Sequence, residues 1–140
     1  ANSLVYWVQD LLRAGFLERG SKIYAMTSEG SSKVVPSYGV VSSAKAALES
    51  HTRQLAMELA RLGKGVTANT IRAGVTMTPA LMKIPERDEI IAATLRRNPT
   101  GRMTTTKDVA DAILALSGEG TEFINGEIIG VDGGEFITGS

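Results

Sequence analysis

Apolar residues recur along the chain with two different periods, and the switching between them predicts its elements. Leu4, Val8, Leu11 and Leu12 fall on one helical face, with Gly15 near the end, so a helix is expected over 4–17, closing before Glu18-Arg-Gly20. Lys22-Ile-Tyr-Ala-Met-Thr27 reads as a short buried strand and Ser28-Glu-Gly-Ser-Ser32 as a turn-rich loop. Pro36 holds the backbone extended ahead of Tyr38, which opens a long helix through Ala44, Ala47, Leu48, Leu55, Ala56 and Leu59 to Leu62. Gly63 and Gly65 supply its stop. Val66-Thr-Ala-Asn-Thr-Ile71 is strand-like and leads into a glycine-containing loop that ends at Thr78-Pro79. Two more helices are expected over 86–97 and 107–116, the second capped by Thr106. Glu127-Ile-Ile-Gly-Val-Asp132 completes the pattern as a last strand, with Gly133-Gly134 as a tight turn.

Strands alternating with helix-length segments imply the α/β class, with a parallel sheet covered on both faces through right-handed crossovers. Ligands of such sheets bind beyond the carboxyl ends of the strands, where Ser28, Tyr38 and the Gly74 to Thr78 loop are expected to converge. No repeat or low-complexity linker interrupts the pattern. A length of 140 residues, 43% of them hydrophobic, suits one compact domain or part of one and is short for a two-part enzyme.

Charge narrows the partners. Fifteen Lys and Arg balance fifteen Asp and Glu, so neither nucleic acid nor an anionic membrane surface is expected, and the partner should be small or locally recognised. The chain has no cysteine, which removes disulfides, thiolate zinc and thiol catalysis and suits a reducing cytoplasm. His51 is the single histidine, so no metal site is expected and His51 is read as a packed or half-exposed side chain. No run approaches the ~18 apolar residues of a membrane span, and the start lacks the order of a signal peptide; a cytoplasmic protein is expected.

Candidate chemistry lies in Tyr38-Gly-Val-Val-Ser-Ser-Ala-Lys45. A separation of seven closes to within about 20° of two helical turns, so the two side chains can share a face ~10 Å apart along the axis. A free phenol titrates near about 10, and a neighbouring cation favours its ionised form, so such a pair suits proton delivery. The same spacing also fits a packed ring beside a solvated amine.

In order, the strand and serine loop, the Tyr38 and Lys45 helix, the Asn69-Thr-Ile-Arg-Ala-Gly74 turn, Gly101-Arg-Met103, Ile124-Asn-Gly126 and Val131-Asp-Gly-Gly134 resemble the carboxyl-terminal part of a short-chain dehydrogenase/reductase. The likeness covers nearly the whole chain and implies a Rossmann-type, doubly wound parallel sheet. Most members have three residues between tyrosine and lysine, which would put lysine where Ser42 stands. Six intervening residues are similar to the divergent branch containing bacterial enoyl-acyl-carrier-protein reductases. Ser43-Ala-Lys-Ala-Ala-Leu-Glu49, Pro85-Glu-Arg87 followed by Asp88 and Glu89, and Pro99-Thr-Gly-Arg-Met103 resemble the NADPH-using enoyl reductases typified by some Bacillus species.

The resemblance implies NADPH or NADH as cofactor and an enoyl thioester of fatty acid synthesis, carried on acyl carrier protein or another carrier, as substrate. Tyr38 would hydrogen-bond the thioester carbonyl and the enolate formed from it, and Lys45 would hold the nicotinamide ribose and supply positive charge. Hydride reaches a carbon two bonds beyond the carbonyl carbon in enoyl reduction, so the wider tyrosine spacing suits an acid set farther from the nicotinamide. Ser28 is a third catalytic candidate, for binding substrate. Gly74, Thr76 and Thr78 would lie on the nicotinamide and pyrophosphate side, although Thr-x-Thr before Pro79 is equally ordinary loop chemistry. Met77, Leu81, Met82 and Ile84 would cover the acyl chain or serve as core.

Alternative readings are a carbonyl or alcohol oxidoreductase such as a 3-ketoacyl reductase, and a non-catalytic assembly subunit. The family pairs its long helices and last strand across two-fold axes, so a homodimer or homotetramer is expected, with Ala44, Ala47, Leu48 and Leu55 as surface. No Gly-x-x-x-Gly-x-Gly precedes the first strand, so the amino-terminal dinucleotide-binding segment, and with it the choice between NADH and NADPH, is expected to lie outside these 140 residues. The chain alone is then expected to bind cofactor poorly and to expose an unpaired sheet edge.

Overall fold

Leu4, Val8 and Leu12 form the apolar stripe of helix α1, Asn2–Arg13, in a computed structural model that describes residues 1–138. The helix stops short of the expected Leu17 because Gly15 turns left-handed at φ 76°, and the amide of Phe16 donates back to the Leu11 carbonyl. Strand β1, Lys22–Thr27, has the expected bounds, and a single 3-10 turn, Glu29–Ser31, follows it. Helix α2, Gly39–Arg61, begins one residue after Tyr38, which serves as its N-cap, and Gly63 at φ 65° lies just beyond its end. Strand β2 is Thr67–Ala73, helix α3 Arg87–Arg97, helix α4 Thr106–Leu116 and strand β3 Ile128–Val131.

Two compact units divide the chain: Ala1–Ile71 with Ser117–Ile129, and Arg72–Leu116 with the segment from Gly130 onward. The sheet order is β1-β2-β3. In the first unit, Gly20 donates to the Gly65 carbonyl and Thr67 to that of Ser21, while Gly126 donates to Ala68 and Thr70 to Glu127. Partners rise together along both chains, so the strands are parallel. Residues 67–71 of β2 are all buried, on both faces, as befits a central strand. Around its start gathers the core of Val8, Leu55, Ala56, Leu59, Val66 and Ala68, with Leu4, Leu12, Leu17 and Ile23 packed against it.

Side-chain amides complete this framework. Asn69 donates through Nδ2 to the Ile124 carbonyl and accepts from the Glu127 amide, and Asn125 accepts from the Ala68 amide while donating to the Ala56 carbonyl. The two asparagines therefore stitch β2 to the 124–127 segment and, through Ala56, to α2. They satisfy buried backbone groups that strand pairing leaves open.

Leu55 is a correction: it lies in the core of its own unit, 7% exposed, and cannot serve as an assembly surface. His51 is half-buried and shares a hydrogen bond of 3.2 Å with Asn2. In the second unit the cap of α4 is Thr105 rather than Thr106. Thr105 Oγ1 accepts from the Asp108 amide, and Asp108 accepts from the Thr105 amide and hydroxyl, a reciprocal box that the Thr105-Thr-Lys-Asp108 spacing dictates. Arg97 and Glu135 form a largely buried pair at 2.5 Å in the same unit, and the Arg72 guanidinium lies 3.6 Å over the Phe136 ring.

Candidate active site

The end of β1 is where the first unit collects its chemistry. Lys45 Nζ donates 2.8 Å to the carbonyl of Met26, and the hydroxyls of Ser28 and Tyr38 share a hydrogen bond of 3.2 Å. Tyr38, Lys45 and Ser28 are thus brought together at residues 26–28, on the carboxyl side of the strand. All three are half-buried, accessible enough to meet a ligand and enclosed enough to be held. The helical spacing accounts for half of this arrangement. Tyr38 caps α2 and Lys45 sits two turns along it, so both reach the same strand end.

Three local devices fix the tyrosine. Ser37, directly before it, adopts φ 61°, a left-handed backbone uncommon outside glycine and concentrated at functional sites. Gly30 lies under the ring: a Cβ built there would stand 2.5 Å from Cδ1 and Cε1 of Tyr38, so only glycine admits the phenol. Ser42, where most short-chain reductases carry lysine, donates to the Gly30 carbonyl and so ties the turn beneath the ring to the first turn of α2. A fourth contact sits one layer deeper. Thr27 donates 2.6 Å to the Glu49 carboxylate, and both are buried.

Gly74, Thr76 and Thr78 belong to the second unit and form a group of their own. Gly74 donates to the Val131 carbonyl, and a Cβ on it would stand 2.5 Å from Thr104 Oγ1 and 2.8 Å from Glu135 Oε2, so close packing requires glycine. Thr76 donates to the Gly74 carbonyl at 2.8 Å and bridges in parallel with Thr104. Thr78 Oγ1 accepts from the Leu81 amide and so caps the 3-10 turn Leu81–Lys83. Each hydroxyl thus has a loop role and retains a lone pair for a further donor. Met77, Met82 and Ile84 are exposed and Leu81 is buried, so the loop divides between surface and core.

In the second unit a strong electrostatic perturbation falls on Asp108. Arg102 grips Asp108 with two nitrogens, at 2.7 and 3.0 Å, and with the Thr105 hydrogen bonds holds the carboxyl far below the usual carboxylate range. The Asp108 carboxyl caps helix α4. Among the described residues no cluster of three His, Cys, Asp or Glu could hold a metal, and no helix is long and apolar enough to cross a membrane. A half-open cavity of about 340 Å³ in the second unit, bordered by Thr100, Met103, Asp111 and Val131, contains none of the residues singled out above for catalysis.

Comparison with known proteins places these observations. A family profile described as enoyl-(acyl carrier protein) reductase matches residues 1–135. An enoyl-[acyl-carrier-protein] reductase [NADH] of Aquifex aeolicus is 37% identical over 121 residues, spanning 86% of this chain and 44% of that protein. An NADPH-dependent aldehyde reductase-like chloroplast protein of Arabidopsis thaliana is 38% identical over 117 residues, spanning 82% of this chain and 42% of that one. The crystal structure of the Aquifex aeolicus enoyl reductase superposes with a TM-score of 0.89 at 35% identity, over 100% of this chain and 53% of that chain. The chain therefore spans about half the length of the relatives it matches, and its Rossmann-like α/β architecture is theirs.

Proposed function

The chain belongs to the enoyl-(acyl carrier protein) reductase family, and we propose on that premise that the full-length protein reduces the 2,3 double bond of an enoyl thioester with NADH or NADPH in fatty acid synthesis. The single observation that carries the reading is the Ser28, Tyr38 and Lys45 group at the end of β1. A nicotinamide held there would supply the hydride taken up by the substrate carbon β to the thioester carbonyl. Negative charge then develops on the carbonyl oxygen, and the Tyr38 hydroxyl donates a hydrogen bond to it, stabilising the enolate until a solvent proton adds to its α-carbon. With Ser28 as the donor in their shared hydrogen bond, the Tyr38 O–H is left to donate to substrate.

The donor set fits the cofactor. An ammonium carries three donors, Lys45 uses one on the Met26 carbonyl, and the others suit ribose hydroxyls. Gly74, Thr76 and Thr78 are assigned to the nicotinamide and pyrophosphate side, with Met77, Met82 and Ile84 as the apolar cover of the acyl chain. A homo-oligomer accords with the exposed aromatic pair Tyr6 and Trp7 on α1, the latter 68% exposed. A cytoplasmic setting accords with the cysteine-free composition.

A carbonyl reductase is the second reading, favoured by the aldehyde reductase-like relative at 38% identity. Oxidation of NADH and NADPH by the full-length protein, with a 2-enoyl and a 3-ketoacyl thioester in parallel, separates the two. Enoyl-dependent oxidation is the expected result. Turnover of the keto substrate alone would transfer the assignment to the second reading, and turnover of neither would remove both.

A further inference from the structure

Helix α2 grips the end of β1 at three consecutive residues. Lys45 takes the Met26 carbonyl, Glu49 takes the Thr27 hydroxyl and Tyr38 takes the Ser28 hydroxyl. Lys45 and Glu49 stand four apart and so project from the same face of the helix, one turn from each other. The middle contact is the buried one. Glu49 is 8% exposed and Thr27 5%, and their hydrogen bond measures 2.6 Å. A buried carboxyl group is costly to keep unless it is hydrogen-bonded. Here it joins the strand that supplies Ser28 to the helix that supplies Tyr38 and Lys45.

We propose that Glu49 and Thr27 are positioning residues, which set the register of α2 on β1 and thereby fix the distance between the Tyr38 phenol, Ser28 and the Lys45 ammonium. The catalytic role of those three rests on the function proposed above; the register itself does not. Neighbouring contacts on either side of Thr27 depend on where it sits. A slip at residue 27 moves the carbonyl that holds Lys45 and the hydroxyl that holds Tyr38 together, because Met26 and Thr27 end β1 and Ser28 continues it with an extended backbone. Displacements near 1 Å at a reacting group cost on the order of a hundredfold in rate, so a partial slip is expected to be visible in turnover.

The experiment uses the full-length protein with Thr27→Val, which removes the donor at nearly constant volume, and Thr27→Ser, which restores it. Two quantities are read: the 13Cζ resonance of Tyr38, and kcat and KM with an enoyl thioester. In Thr27→Val the Tyr38 resonance should shift and kcat should fall by roughly tenfold or more with KM within about twofold, since the loss lies in orientation. Thr27→Ser should return both to the wild-type values. Glu49→Asp, which keeps the carboxyl group and shortens the arm, should repeat the effect and supplies the reading if the valine variant does not fold. An unmoved Tyr38 resonance with unchanged kcat, in a variant that merely unfolds at lower temperature, would overturn the proposal and leave the pair a packing contact. Absence of wild-type turnover would instead count against the enoyl reductase reading, and the resonance would still decide the register.

Discussion

Glycine at position 30 is the residue on which the phenol rests. Its missing Cβ is replaced by the Tyr38 ring edge, so Gly30→Ala must push the ring aside or bend the turn tied down by Ser42. Overpacking of this kind costs about 1–3 kcal/mol, and denaturant unfolding of Gly30→Ala against wild type is expected to report a loss in that range together with reduced turnover. Ser37 gives the opposite sign. Its left-handed φ of 61° suits glycine better, so Ser37→Gly should keep the fold, whereas Ser37→Val should destabilise it in the same assay. Neither position stands out in the sequence. A serine before a tyrosine and a glycine in a serine-rich loop look like ordinary turn chemistry until the ring and the turn are seen to touch.

Elements were the more legible level, and their ends were set by chemistry that the pattern only partly reveals. Lys22–Thr27 emerged with the expected bounds because a short apolar run between turn signals has one reading. The end of α1 moved from 17 to 13, since Gly15 in a left-handed closure outranks the apolar residues beyond it. At α4 the reciprocal bonds of Thr105 and Asp108 displaced the expected Thr106 cap by one residue, although the Thr-x-x-Asp spacing was there to be read. Thr105→Ala should therefore lower the stability of the second unit by about 1 kcal/mol, with Thr106→Ala nearly neutral, measured by hydrogen exchange of α4. Asp108 adds a pH signature. Its folded value is depressed first by Arg102 and then by Thr105, so the capping contribution is complete above the ordinary carboxylate range near ~4 and is lost only as pH falls through that lower value. Its carboxyl carbon resonance should stay flat while exposed carboxylates titrate, and an ordinary titration would contradict the bidentate Arg102 contact.

At the scale of the whole molecule, what folds the chain and what equips it are separate sets of contacts. Within the first unit the α1 and α2 stripes and the buried β2 strand make the core, and the pattern of apolar residues was sufficient to find them. The site contacts join residues far apart in sequence, Ser28 to Tyr38, Met26 to Lys45 and Thr27 to Glu49, and no periodicity encodes which partner each side chain meets. Arg97 and Glu135, 38 residues apart in the second unit, escaped the sequence for the same reason. Replacing Arg97 by methionine would leave a carboxylate only 3% exposed without its ion-pair partner, a change that typically costs about 3–5 kcal/mol; thermal unfolding of Arg97→Met should show it as a large drop in Tm.

In the proposed reaction the Tyr38 hydroxyl acts on the substrate from its seat at the end of β1. Enoyl-dependent oxidation of NADH and NADPH by full-length wild type and Tyr38→Phe tests it most directly, with unfolding midpoints taken alongside. Loss of the hydroxyl should lower kcat/KM roughly 10²–10³-fold in the phenylalanine variant, as removal of one oxyanion-stabilising donor does, with the midpoint nearly unchanged because the ring still packs on Gly30. Wild-type rates in Tyr38→Phe would rule that role out and place the enolate-stabilising donor elsewhere in the protein.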